Sequence, residues 1–132
     1  MSEAQERTSI LLYSDNSERR AEVIKAIGIR PAAGLPRVEW TEAATAAGGK
    51  QKFAEGQFDL VIADGETQKT GGMAFAHELR NSFDEVPPIL ILTARQQDEW
   101  LARSAGSSAV VCEPLDPIAL EDAVAKLLTT KH

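Results

Sequence analysis

The sequence is poor in the residues that build cross-links, metal clusters and nucleic-acid interfaces. It has one Cys and two His among 132 residues, which excludes an internal disulfide and a cysteine-based metal cluster. Its 14 Lys and Arg are outnumbered by 20 Asp and Glu, so the formal net charge is −6. That balance argues against nucleic-acid binding, which depends on clustered Lys and Arg that neutralise phosphates. A reduced, cytoplasmic setting is the expectation.

Long hydrophobic runs are also missing. The most apolar segments are Ile10–Tyr13, Leu60–Ala63, Val86–Leu92 and Ala109–Cys112. All are far shorter than the roughly 20 residues that a membrane span needs, so we expect no membrane insertion. The start of the chain lacks the basic residues and apolar stretch of a signal peptide. The length suits one domain, and we expect residues 1–132 to form it without an attached output domain.

Strand-like and helix-like segments alternate along the chain. Apolar runs predict strands at Ser9–Tyr13, Phe58–Ala63, Ile89–Thr93 and Ser108–Cys112. Alternating polar and apolar residues predict a further strand, at or near an edge of the sheet, at Arg37–Thr41. Spacing and capping residues predict helices from Asn16 or Ser17 to Ile27, at Ala44–Gly56, Met73–Phe83 and Gln96–Ala105, and from Pro117 onward. The first helix is expected to bury Ala21, Ile24 and Ile27. Short apolar strands bounded by helices predict an α/β fold, a doubly wound five-stranded parallel sheet with helices on both faces.

Polar residues follow the predicted strands where such a sheet binds its ligands, at the carboxyl ends. These residues are Asp15, Asp64, Thr93 and Glu113. If the first and third strands are neighbours, Asp15 and Asp64 face each other, and two close carboxylates repel unless one is protonated or a cation lies between them. Mg²⁺, which takes carboxylate oxygens and water, would satisfy both. The competing interpretation is that these acids are only turn residues, since Asp-Gly is a common turn signal.

The segments that carry these residues resemble the receiver domain of two-component response regulators, a flavodoxin-like fold. The likeness extends over nearly the whole chain. It rests on residues 10–16 (Ile-Leu-Leu-Tyr-Ser-Asp-Asn), 58–64 (Phe-Asp-Leu-Val-Ile-Ala-Asp), Gly72, 89–94 (Ile-Leu-Ile-Leu-Thr-Ala), Ala105-Gly106 and Glu113-Pro114.

The resemblance implies a role for each residue at the strand ends. Asp64 would accept a phosphoryl group from a histidine kinase. Mg²⁺ would be held by Asp15, Asp64 and the backbone carbonyl of Glu66. The Thr93 hydroxyl would bind the phosphoryl group. The family ends its fifth strand with Lys-Pro, and that Lys pairs with the phosphoryl oxygens.

Four positions depart from the family pattern. The first acid of the pair after the first strand is Ser14, the Pro expected after Asp64 is Gln68, the aromatic switch residue is Val110, and the Lys is Glu113. Two unit charges about 4 Å apart interact by roughly 4 kcal/mol at an effective dielectric constant near 20. An anion at the Lys position therefore disfavours a phosphorylated Asp64, and we predict that phosphorylation is impaired or absent.

The sequence thus predicts an atypical response regulator that is not an enzyme and acts by protein–protein interaction. The partner surface implied by the resemblance includes Trp100, Val110 and Pro114, and a homodimer through it is left open. One alternative is a conventional Mg²⁺-dependent phosphorelay receiver, phosphorylated on Asp64 by a histidine kinase. Others, of a different class, are a small Mg²⁺-dependent α/β enzyme and an accessory subunit that binds one partner constitutively.

Overall fold

The five predicted strands form one parallel sheet. They are β1 (Arg7–Tyr13), β2 (Arg37–Ala43), β3 (Leu60–Asp64), β4 (Ile89–Thr93) and β5 (Ala109–Cys112). Their spatial order is β2-β1-β3-β4-β5, and every neighbouring pair is parallel. The predicted fold class is therefore confirmed, and the strand bounds differ from the predicted ones only at their ends.

The structure is a computed structural model that describes residues 7–29, 36–66, 71–94, 108–112 and 115–130. Several predictions lie outside these residues: the helix Gln96–Ala105 with Trp100, and the positions Gln68, Glu113 and Pro114. None of the helices in the described ranges is long and apolar enough to cross a membrane.

Four helices lie within the described ranges. They are α1 (Ser17–Ile27), α2 (Ala46–Glu55), α3 (Gly72–Ser82) and α4 (Pro117–Thr130). The Asn16 side chain caps α1 by accepting hydrogen bonds from the backbone N–H groups of Glu18 and Arg19, which satisfies two donors that the helix leaves open. At the other end Gly28 has φ 76°, a left-handed conformation that glycine adopts without steric cost.

The sheet separates two cores. We call the side covered by α2 and α3 the aromatic face; its buried members include Leu11, Tyr13, Phe53, Phe75 and Leu79. We call the side covered by α1 and α4 the aliphatic face; its buried members include Ile10, Leu12, Val23, Leu120 and Val124. Successive residues of a strand point to opposite sides, which explains why the fully buried strands β3 and β4 are apolar almost throughout.

The predicted buried side of α1 was partly wrong. Ala21 is exposed and Ile24 is only half-buried, whereas Val23 and Ile27 are buried. Turning Val23 rather than the Ala21 methyl toward the sheet removes more apolar surface from water. The row that faces the sheet is therefore Arg19, Val23 and Ile27, spaced four residues apart.

Candidate functional site

Three polar side chains are buried where β1, β3 and β4 end. Ser14 and Thr93 are 0% exposed and Asp64 is 3% exposed. They meet there because β1 lies beside β3, with Tyr13 paired to Ala63, and β3 lies beside β4, with Asp64 paired to Leu92. Since buried polar groups need hydrogen-bond partners, their contacts define how this edge of the sheet is built.

Ser14 is a direct partner of Asp64. Its Oγ donates a hydrogen bond of 2.8 Å to Asp64 Oδ2 and accepts one of 3.1 Å from the backbone N–H of Asn16. The residue that replaces the first acid of the family pair is thus a neutral donor. A hydroxyl here stabilises the Asp64 carboxylate, where a second carboxylate would repel it.

Arg19, which the sequence analysis did not single out, places a positive charge at the same oxygen. Its Nε lies 3.8 Å from Asp64 Oδ2, and the Arg19 side chain is only 18% exposed. Its Nη1 lies 3.7 Å from Glu22 Oε1 on the next turn of α1. No signal in the sequence marks it, because its position depends on which side of α1 faces the sheet, and Arg19 stands four residues before the buried Val23 on that side.

The loop after β3 holds the other oxygen of Asp64. Oδ1 accepts a hydrogen bond of 2.9 Å from the Glu66 backbone N–H. The Glu66 carboxylate in turn accepts one of 3.1 Å from the Ala94 N–H, just beyond β4. Both oxygens of Asp64 are therefore engaged, and the loop that holds one of them is tied to the next strand.

Two glycines let the backbone close tightly around Asp64. A Cβ on Gly72, the first residue of α3, would lie 2.8 Å from the Asp64 carbonyl carbon. A Cβ on Gly65 would lie 2.7 Å from the Leu92 carbonyl oxygen, to which the Gly65 N–H donates a hydrogen bond of 2.8 Å. Side chains at these positions would push α3 and β4 away from the site.

Thr93 differs from its buried neighbours. Its Oγ1 has no hydrogen-bond partner among the described residues, although the residue is completely buried. A buried hydroxyl without a partner costs free energy. The Thr93 hydroxyl at the end of β4 therefore has a donor and an acceptor that none of the described residues engages.

A cavity of about 490 Å³ opens beside these residues. It is lined by Asp15, Asn16, Ser17, Glu18, Arg19, Asp64 and Glu66. The three residues predicted to hold Mg²⁺ (Asp15, Asp64 and Glu66) line it together, and their oxygens fit the donor chemistry of a hard divalent ion. Within the described ranges, no three acidic, His or Cys side chains converge on one point, and the predicted set needs only two carboxylates and a carbonyl.

A larger cavity of about 1300 Å³ lies at the opposite edge of the sheet, where β1 and β4 begin. Its lining includes Ser9, Phe58, Glu85 and Pro88. None of the predicted site residues that the structure describes borders it, and the carboxyl ends of parallel strands are where such sheets bind ligands. Size therefore does not identify the site here; the placement of the buried polar groups does.

Tyr13 is a residue of the aromatic face that lies close enough to the site for its pKa to be affected. It ends β1, and its ring centroid lies 4.3 Å from that of Phe75. Burial raises the pKa of its hydroxyl above the ordinary 10.0, and the carboxylates of Asp15, Glu78 and Asp64 raise it further. The carboxylates of Asp15 and Asp64 thus affect the pKa of a hydroxyl on the aromatic face.

The predicted partner surface is described only at Val110. This residue is half-buried in β5 and packs against the core of the aromatic face. Cys112, the last residue of β5, is half-buried. Trp100, Glu113 and Pro114 lie outside the described residues, so the effect expected of the Glu113 charge on phosphorylation stays a sequence prediction.

Comparison with known proteins places these features in context. No protein-family model matches the chain. The chain is 42% identical over 119 residues to an uncharacterized response regulatory protein of Mycobacterium tuberculosis, covering 90% of each chain. A response regulator receiver domain from Clostridium thermocellum superimposes with a TM-score of 0.77 at 21% identity, covering 93% of this chain and 95% of that one. Chemotaxis protein CheY4 of Vibrio cholerae gives 0.74 at 22% identity, covering 92% and 99%.

Proposed function

The chain belongs to the response-regulator receiver family of two-component signalling, and from that premise we propose that it is an atypical member in which phosphorylation of Asp64 is impaired or absent. Receiver domains contact histidine kinases and other proteins, and they are generally signalling proteins rather than enzymes. The proposed output of this chain is protein–protein interaction.

The state of the Asp64 carboxylate carries the proposal. Oδ2 accepts a hydrogen bond from Ser14 and lies 3.8 Å from Arg19 Nε, while Oδ1 accepts one from the Glu66 N–H. These three interactions lower the tendency of the carboxylate to attack a phosphorus atom, because attack would give up part of them. This supports an Asp64 that is stable in the unphosphorylated form.

Two substitutions point in the same direction. Ser14 stands where the family has an acid, so one negative charge that would attract a divalent cation is missing. Glu113 stands where the family has a Lys, so an anion replaces the cation that would pair with a phosphoryl group. Both changes weaken the electrostatic stabilisation on which phosphoryl transfer depends.

The alternative is a conventional Mg²⁺-dependent receiver, which is favoured by the Thr93 Oγ1, buried without a hydrogen-bond partner among the described residues. In that case Asp15, Asp64 and the Glu66 carbonyl would hold Mg²⁺, which would neutralise charge on the phosphoryl group. The Thr93 hydroxyl would donate a hydrogen bond to a phosphoryl oxygen. Asp64 would remain the residue that bears the group.

Phosphorylation by acetyl phosphate with Mg²⁺, read by intact mass, tests the proposal. We expect no phosphoryl adduct on the natural chain. We expect the double variant Ser14→Asp/Glu113→Lys to gain an adduct that Asp64→Asn then removes. The matched control Ser14→Asp/Glu85→Lys, which makes the same charge change but moves the Lys to the opposite edge of the sheet, should gain none. Ready labelling of the natural chain, abolished by Asp64→Asn, would establish the conventional alternative instead.

The mode of partner binding is tested by co-purification from the native host. If interaction does not depend on phosphorylation, the natural chain and Asp64→Asn should retain the same protein partners in the same amount. Partners that bind only after treatment with acetyl phosphate and Mg²⁺ would contradict the proposal.

A further inference from the structure

We propose that Arg19 is the resident cation of the acidic cavity and that it competes with Mg²⁺ for Asp64. The inference rests on the proposed function only in taking the chain as a receiver, in which Asp15 and Asp64 would hold Mg²⁺. It assigns to α1 the role of neutralising the phosphoacceptor, at a position that nothing in the family pattern singled out.

The charges around the cavity carry the first step. The lining residues include four acids, Asp15, Glu18, Asp64 and Glu66, and one base, Arg19, among the residues that the structure describes. The Arg19 guanidinium is the group placed to offset them, and its Nε lies 3.8 Å from Asp64 Oδ2. With both side chains mostly buried, this pair is screened by water and salt much less than a surface ion pair.

The second step is the conflict between Arg19 and a metal ion. Mg²⁺ binds carboxylate oxygens at about 2.0–2.1 Å. An ion bound to Asp64 would therefore bring two positive charges close to the guanidinium. Like charges at this distance repel, so Mg²⁺ must displace Arg19 or accept a weaker site. In the absence of Mg²⁺, the Arg19 guanidinium thus serves as the cation beside Asp64.

The third step is that Arg19 has a second carboxylate partner, Glu22. Its Nη1 lies 3.7 Å from the exposed carboxylate of Glu22, and its backbone N–H is fixed by the Asn16 cap. The side chain can therefore move outward to Glu22 without disturbing α1. The next residue, Arg20, is committed elsewhere, because it donates hydrogen bonds to the Ser14 carbonyl and to Glu42.

Calorimetric titration of the unphosphorylated chain with Mg²⁺ at constant ionic strength tests the inference. We expect Arg19→Gln to bind Mg²⁺ roughly fivefold to tenfold more tightly than the natural chain, because one like charge is removed at a partly screened site. Arg19→Lys should stay near the natural affinity. Lys25→Gln, which removes the same charge from the exposed last turn of α1, should leave the affinity unchanged.

Glu22→Gln supplies a second measurement with the opposite sign. Without Glu22 the guanidinium loses its alternative partner, so Mg²⁺ should bind more weakly than to the natural chain. Glu22 is exposed, so this variant tests the inference even if Arg19→Gln fails to fold, which circular dichroism would report.

An unchanged or weaker affinity in folded Arg19→Gln would overturn the inference. So would the absence of Mg²⁺ binding in both the natural chain and Arg19→Gln. The titration uses no phosphodonor, so its outcome is independent of the labelling test: rapid phosphorylation of Asp64 would contradict the proposed function and leave the competition measurable.

Discussion

The two faces of the sheet bury different kinds of side chain. On the aromatic face, rings contact one another: Tyr13 and Phe75 at 4.3 Å between centroids, Phe53 and Phe83 at 4.8 Å. On the aliphatic face, the buried apolar residues of the core are Ile, Leu and Val. Because strand residues alternate, Ser14 and Asp64 share the side of Leu12 and Ile62, and they meet Arg19 from α1 on that side.

The aromatic face contributes most to stability, whereas the aliphatic face holds the polar groups of the candidate site. The rings bury the largest surfaces and lie between the sheet and α2 or α3, so they dominate the packing free energy. The aliphatic face ends in a network of charged and polar groups whose geometry depends on α1. Changes on the aromatic face should therefore unfold the protein before they alter the site, and changes in the network should do the reverse.

The largest expected effect is that of Phe75→Ala. Phe75 is completely buried, and its ring contacts Tyr13 and lies against Gly49. Truncation should lower the free energy of unfolding by about 3–5 kcal/mol, measured by urea denaturation. Leu120→Ala is the matched change on the aliphatic face and should cost about 2–5 kcal/mol. A larger loss for Leu120→Ala than for Phe75→Ala would break the comparison.

A smaller effect is expected for Ser14→Ala. The change leaves Asp64 Oδ2 without its hydroxyl donor and the Asn16 N–H without its acceptor. We expect a loss of about 1–3 kcal/mol in the free energy of unfolding. Thr129→Ala removes an exposed 3.2 Å hydrogen bond near the end of α4 and should change stability by less than about 0.5 kcal/mol. Equal effects of the two variants would mean that the network adds nothing to stability.

The smallest effect on stability at neutral pH is expected for Tyr13. Its pKa tests whether the carboxylates of the site act on a residue of the aromatic face. It is the only Tyr, so its ionisation can be followed by ultraviolet absorbance in the folded chain and again in urea. The pKa of Tyr13 should lie above 10.0 in the folded chain and close to 10.0 in the unfolded chain. The sign follows from the raised pKa: the neutral form is favoured in the fold, so its contribution to stability is complete below pH 10.0 and is lost as the pH rises through the folded pKa.

Two variants separate the causes of that shift. Tyr13→Phe should abolish the absorbance change and remove its part of the alkaline loss of stability. Asp64→Asn removes one of the carboxylates that raise the pKa, so the folded Tyr13 should titrate at lower pH than in the natural chain. If the pKa of Tyr13 is the same in Asp64→Asn as in the natural chain, the electrostatic effect of the site does not extend to the aromatic face.

Much of the fold could be predicted because the signals are local. Four strands contain a short apolar run, β2 alternates polar and apolar residues, and β4 has the predicted bounds Ile89–Thr93. The turn after β3 and the cap at Asn16 are set by residues adjacent in sequence. The site was predictable in part for the same reason, since Asp64 and Thr93 end strands, and the order of the strands then brings those ends together.

Arg19 could not be found in this way. The sequence by itself determined that a helix begins after Asn16, because a cap and helical spacing involve only neighbouring residues. It did not determine which side of that helix meets the sheet: successive residues turn by about 100°, and the choice depends on packing against β1 and α4. Only the tertiary structure turned Val23 inward and Ala21 outward, and the same rotation placed Arg19 against an aspartate 45 residues away.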